Sequence, residues 1–208
     1  MKKLLALAVM AGVLFAVQPA YADKQDASNN KESEHYTFDK AHTQILFFVS
    51  HLGFSMSQGE FLEFDGHFNF NKKEPEKSDV NVIIQTASID MDHEKWNAHM
   101  KNKDFFNVEK FPTMTFKSTA IEVVDEKIAN IIGDMTILDV TKPVTLAVTY
   151  NKSGTHPYTG KHVSGFSATT DIKRSDFGMT YGIPGVGDDV EVRIEVEGIR
   201  TENRPLNE

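Results

Sequence analysis

No cysteine occurs in the 208 residues. Disulfides, thiolate metal sites, cysteine nucleophiles and a lipid-modified N-terminal cysteine are thereby excluded. Positive charge is also scarce: 22 Lys and Arg stand against 30 Asp and Glu, for a net charge of −8. A nucleic-acid partner, which needs a basic surplus on one face, is not expected. Long apolar runs are missing apart from one at the N-terminus, and there is a single tryptophan. What remains is ordinary globular composition, 40% apolar and 25% charged, of a length that suits one domain.

The one apolar run, Leu4 to Val17, follows the basic start Met1-Lys2-Lys3 and precedes Ala20-Tyr21-Ala22. Basic, apolar and small-residue segments in that order are a secretory signal. Its 14 residues are too few to cross hydrocarbon as a helix. Residues 1–22 are therefore read as a signal peptide cleaved after Ala22, which leaves a still more acidic chain. Nothing later is apolar enough to span as a helix, so an exported, soluble product is expected. An exported chain without cysteine must stand on its core alone, and its length permits this. Residues 23–34, DKQDASNNKESE, carry no large apolar side chain and read as a flexible leader. A folded domain is expected over 35–200, with a tail at 201–208.

From Tyr36 onward the apolar period is mostly two. Ile45, Phe47 and Val49 share one parity; Phe64, Gly66, Phe68 and Phe70 another. Val80, Val82 and Ile84, then Met114 and Phe116, then Val144, Leu146 and Val148 repeat the pattern. Val190, Val192, Ile194 and Val196 alternate with Glu191, Arg193, Glu195 and Glu197, which is the signature of a half-buried antiparallel strand. Weaker runs cover Ile128–Leu138 and Val163–Ile172. Turns are expected at Asn71–Pro75, Lys142-Pro143, Asn151–Gly160 and Gly182–Asp189. The expectation is an all-β, eight-stranded antiparallel barrel joined mainly by consecutive hairpins. Periodicity alone also permits a sandwich. One stretch breaks the period: Asp92 to Lys103 spaces Trp96 and Met100 four apart, with Asp92 available as an N-cap, and reads as a short helix covering one end. Phe105 and Phe106 follow outside any strand.

Catalytic signals are weak. His93-Glu94-Lys95-Trp96-Asn97 misses the HExxH metalloprotease pattern at its last position. The other histidines show no ligand spacing, and no metal or cofactor is expected. No G-x-S-x-G occurs. The glycines from Gly182 to Gly187 precede a strand rather than a helix and lack the Lys-Ser/Thr of a phosphate loop. Phenylalanine is the unusual feature: of 15, eight lie between Phe38 and Phe70. They suit equally a packed core and the lining of an apolar ligand site.

Several motifs in order resemble the YceI-like family. Tyr36-x-x-Asp39-x-x-His42, Phe47, His51, Gly59-x-Phe61 and Phe64-x-Gly66 resemble its N-terminal part. His99-Met100, Asp104-Phe105-Phe106, Phe111-Pro112 and Phe116 resemble its central block. Gly133-Asp134-Met135-Thr136, Val140-Thr141-Lys142-Pro143-Val144 and Arg174-Ser175-Asp176-Phe177-Gly178-Met179 resemble the remainder. The resemblance implies a lipocalin-like barrel that binds a polyisoprenoid, quinone or similar amphiphile, is periplasmic, has no catalytic residues and in some members is a homodimer. The chain departs from the pattern at Trp96-Asn97, where Arg-Asp is common, at Leu138-Asp139, where His-Gly is common, and at Lys173, where Asn is common.

On this reading the protein is not an enzyme but binds, transports or stores an isoprenoid lipid. Expected lining residues are Phe47, Val49, Phe68, Val82, Ile84, Met114, Phe116 and Ile194, from the apolar parity of each strand. Trp96, Met100, Phe105 and Phe106 are expected to cover the tail, with Phe177 and Met179 at the mouth. Arg174 is the basic candidate for a polar head, although pairing with Asp176 or another acid is the stronger expectation. His42 and His51 stand as either head contacts or structural links. The rival readings are an enzyme acting on such a lipid through His42, His51 or Arg174, and a packed barrel that serves as an interaction module.

Overall fold

A computed structural model describes residues 33–201. The expected signal peptide, most of the expected leader and nearly all of the expected tail lie outside the described residues. Strand β1 (Glu34–Phe38) opens the domain, so the last residue assigned to the leader is already in the sheet. Then come β2 (Gln44–His51), β3 (Ser55–Phe61), β4 (Phe64–Phe70), β5 (Asp79–Gln85) and the two-residue β6 (Ile89–Asp90). The helix α1 (Glu94–Lys101) separates these from β7 (Thr113–Val123), β8 (Ile128–Ile137), β9 (Val140–Thr155), β10 (His162–Lys173) and β11 (Val186–Arg200).

All pairings are antiparallel, and β1, β4, β5, β7, β8, β9, β10 and β11 close into an eight-stranded barrel. From β7 to β11 the connections are the expected hairpins. Closure is not: β1 pairs with β4 and β11 rather than with its neighbour β2. The alternation seen in the sequence of β11 continues through a strand long enough for two partners. Val190 to Glu195 pair with β2, and Gly198 to Arg200 pair with β1. The turn between β1 and β2 is anchored on the same strand, where Asp39 N donates to Glu197 O at 2.8 Å. Strands β2, β3 and β6 extend the wall beyond the ring and lead into α1.

Three local expectations are corrected. Lys142-Pro143 lies inside β9; the turn is made by Leu138 and Asp139, at φ of 60° and 100°. Proline is tolerated because Pro143 faces Asp134 of β8 while the β10 pairing of β9 stops at Ala147. Strand β9 also continues through Asn151 to Thr155, so the next turn begins only at His156. Asp92 does not cap α1: it sits at φ 55°, and His93 occupies the cap position.

The core runs the length of the barrel and is rich in aromatic pairs. Tyr36, fully buried, stacks on Phe68 with ring centroids 4.9 Å apart. Phe68 in turn lies over Gly198, where a Cβ would come within 2.4 Å of its ring. Glycine at that position lets a strand pass beneath an aromatic ring.

Candidate ligand-binding cavity

The barrel interior is not filled. Two cavities lie along it, of about 370 Å³ at the end covered by α1 and about 260 Å³ at the other. The inward parity of each strand supplies the walls. In the upper cavity Phe47 and Val49 come from β2, Ile84 from β5, Met114 and Phe116 from β7, and Val190 from β11. Trp96 and Met100 reach it from α1, and Phe105 and Phe106 from the loop that follows. Phe106 meets Phe61 edge-on at 5.5 Å and Phe61 meets Phe47 at 5.7 Å, so the helix and its loop seat on an aromatic floor.

One side chain of the helix ties it to the end of β6. Asn97 Oδ1 accepts from Met91 N at 2.6 Å, and its Nδ2 donates to Asp90 Oδ1 at 2.7 Å. The Asn97 bond, and after it the one from Asp92 N, hold the Asp90 carboxyl below its usual range. Asn97, read in the sequence as a departure from a family pattern, is thus the pin between α1 and β6.

Polar groups gather toward the covered end. His51 ends β2 with its ring 6.2 Å from Trp96. His99 meets Tyr181 edge-on at 5.3 Å and reaches Asp104 at 3.4 Å. Tyr181 and Trp96 are half exposed, which places them at the rim. His42 lines neither cavity. It pairs with Asp39 at 3.0 Å on the barrel surface, and this partner raises its pKa above the ordinary histidine value. Asp39, His42 and Glu197 bring one nitrogen and two carboxylates within 4.8 Å of one another, a set that could hold a metal ion.

Arg174 lines the upper cavity but is not paired with Asp176. Its guanidinium donates to the Gly187, Met179 and Val186 carbonyls at 2.7, 2.9 and 2.9 Å. Burial pushes its pKa down. Next to it, Asp188 accepts from Ser175 N and Oγ at 2.9 and 2.8 Å, and these bonds hold its carboxyl low. The pair of networks ties the 174–185 segment to the start of β11, with Gly178 at φ 85° closing the 3-10 turn Arg174–Phe177. Phe177 and Met179 lie in the cavity wall, 2% and 6% exposed, rather than on the outer rim.

The remaining expected residues, Phe68, Val82 and Ile194, face the lower cavity, together with Phe166, Leu146 and Val148. Residues that the sequence reading missed include His99, Tyr181 and Met91 of the upper wall. His99 figures in the sequence only in a family motif and among histidines without ligand spacing, and Tyr181 and Met91 sit in connections where no period marks an inward face.

The YceI-like domain family model matches residues 36–198. A UPF0312 protein of Ectopseudomonas mendocina (strain ymp) is 37% identical over 202 residues, covering 96% of this chain and 99% of its own. The solved structure of a Campylobacter jejuni YceI protein superposes with a TM-score of 0.68 at 30% identity, covering 74% of this chain and 90% of that one. A polyisoprenoid binding domain from Saccharophagus degradans shares the fold, with a TM-score of 0.60, 12% identity, and coverage of 80% and 98%.

Proposed function

The chain belongs to the YceI-like family, and from that premise and the cavity we propose that it binds an isoprenoid lipid, a polyprenyl compound or a quinone. The observation that carries this reading is the upper cavity: a barrel interior walled by Phe, Met, Val and Ile, with His51, His99 and Tyr181 toward one end. Such a site matches an amphiphile whose body is hydrocarbon and whose head is small and polar. The polyisoprenoid-binding Saccharophagus degradans domain of the same fold supports the ligand class.

Binding follows from transfer. Each CH₂ taken out of water contributes roughly 0.8 kcal/mol. Ordering a flexible tail and releasing α1 offset much of that sum, which keeps the complex reversible. Methionines Met91, Met100, Met114 and Met179 give the wall adaptable side chains that follow the methyl branches of the tail. Polar atoms at the rim keep the head near water. The protein's task on this reading is carriage or storage, without turnover, and the export signal in residues 1–22 supports a periplasmic site of action.

The test is uptake. Purified protein is mixed with a prenylated benzoquinone, freed of excess by gel filtration and extracted with solvent. The expected result is one lipid per protein, recovered chemically unchanged. Recovery of a modified lipid, lost on His51→Ala with binding retained, would favour an enzyme instead; no uptake would favour an interaction module.

A further inference from the structure

The two cavities share five lining residues: Ile45, Ile84, Phe116, Met135 and Val192. These residues therefore stand between them. Phe116 and Met135 are direct cross-strand partners on β7 and β8. Ile84 adjoins them on β5, and Ile45 and Val192 come from the opposite wall on β2 and β11. The Phe116 ring lies against Gly133, where a Cβ would come within 2.4 Å of it. Any larger residue there would push the ring into the lumen. Phe116 is thus a fixed jamb, while Met135, with three rotatable side-chain bonds, is a movable one.

Resting on the reading above, we propose that this waist and the chamber beyond it set the length of the lipid tail. A short tail fills the upper 370 Å³ and stops at the waist. A longer tail displaces the Met135 side chain and enters the further 260 Å³, which is equally apolar along Phe68, Val148, Phe166 and Ile194. The far end of that chamber is ringed by Lys72, Asp79, Asp125, Glu126 and Lys127. Charged groups of both signs are a poor continuation for hydrocarbon, so the tail ends there. The waist therefore marks a step in affinity with tail length, and the charged ring a ceiling.

The experiment uses benzoquinones carrying prenyl tails of two, four and eight isoprene units. Quenching of Trp96, the single tryptophan and part of the upper wall, reports binding. Wild-type protein is expected to bind the eight-unit quinone more tightly than the two-unit one. Ala168→Phe plugs the lower chamber, which Ala168 lines without touching the upper one. It should weaken the eight-unit quinone by about tenfold and leave the two-unit quinone within about twofold. Phe116→Ala opens the waist and should strengthen the eight-unit quinone by about threefold or more. Thermal unfolding checks each variant; if Ala168→Phe does not fold, Ala168→Leu is the smaller plug with the same expected order. Eight-unit binding unchanged by a folded plug would overturn the proposal while leaving lipid binding intact. Failure of wild-type protein to bind any of the quinones would overturn both.

Discussion

Burying the Arg174 guanidinium demands acceptors, and Met179 with the first two residues of β11 provides three backbone carbonyls. A lysine ammonium cannot reach the same three points in one plane. Arg174→Lys should cost about 1–3 kcal/mol in urea unfolding, and Arg174→Met about 3–5 kcal/mol because buried carbonyls lose their donors. A loss below about 0.5 kcal/mol for the methionine variant would show that the network does not hold the loop. At β1, Tyr36 donates to Glu34, which also accepts from Arg200. Burial, and secondarily the Glu34 hydrogen bond, pushes the Tyr36 phenol up to about 12. A raised phenol keeps its proton longer in the folded state. Its contribution is whole below the ordinary value near 10.0 and is lost as pH climbs from there toward about 12. The loss should be on the order of 2 kcal/mol in denaturant titrations, and Tyr36→Phe should remove that slope. An unchanged alkaline slope in Tyr36→Phe would assign it to other groups. The sequence marked Arg174 as a candidate for either a head contact or an acid pair; backbone carbonyls as partners are invisible to it, because nothing in a residue's identity announces where a carbonyl will point.

At the scale of elements, α1 covers one end of the barrel and is tied to β6 through Asn97. Removing that side chain leaves Met91 N without its acceptor and Asp90 Oδ1 with Asp92 N alone. Asn97→Ala should lower stability by about 1–2 kcal/mol and speed lipid release in stopped-flow exchange. Release at the wild-type rate would mean that the tail leaves by another route. Close strand crossings make a second prediction. Gly198→Ala drives a Cβ into Phe68, and thermal or urea unfolding should show a loss of about 1–3 kcal/mol. Stability at the wild-type level would contradict the tight crossing. The strands with a clear period of two were legible, β11 above all. Strand β3 was not: in SMSQGEF only Gly59 and Phe61 are buried, so no alternation announces it. The helix was legible from Trp96 and Met100, but its cap was misplaced because Asp92 folds into a left-handed turn onto Asp90. The Pro143 turn was misplaced because a proline marks a break only where both edges of a strand are paired.

Taken whole, the molecule replaces covalent staples with closure. A chain without cysteine gains its rigidity from a ring of eight strands in which one edge of β11 serves two partners. That closure also leaves a lumen that the side chains do not fill. Seven strands of the ring, together with β2, could be read in the sequence, whereas the short β1 that closes the ring could not; the expected wall residues lie along the two cavities. The division of the interior could not be read, because it depends on which side chains from opposite walls meet, a property of the barrel's curvature rather than of any one strand.

The central claim is that the lumen carries an isoprenoid lipid. The most direct measurement is native mass spectrometry of the protein purified from its own host, followed by solvent extraction of what it holds. The account predicts a stoichiometric added mass that resolves on extraction into one isoprenoid class. A ligand-free mass, together with no uptake of added quinones or polyprenyl phosphates, would contradict it.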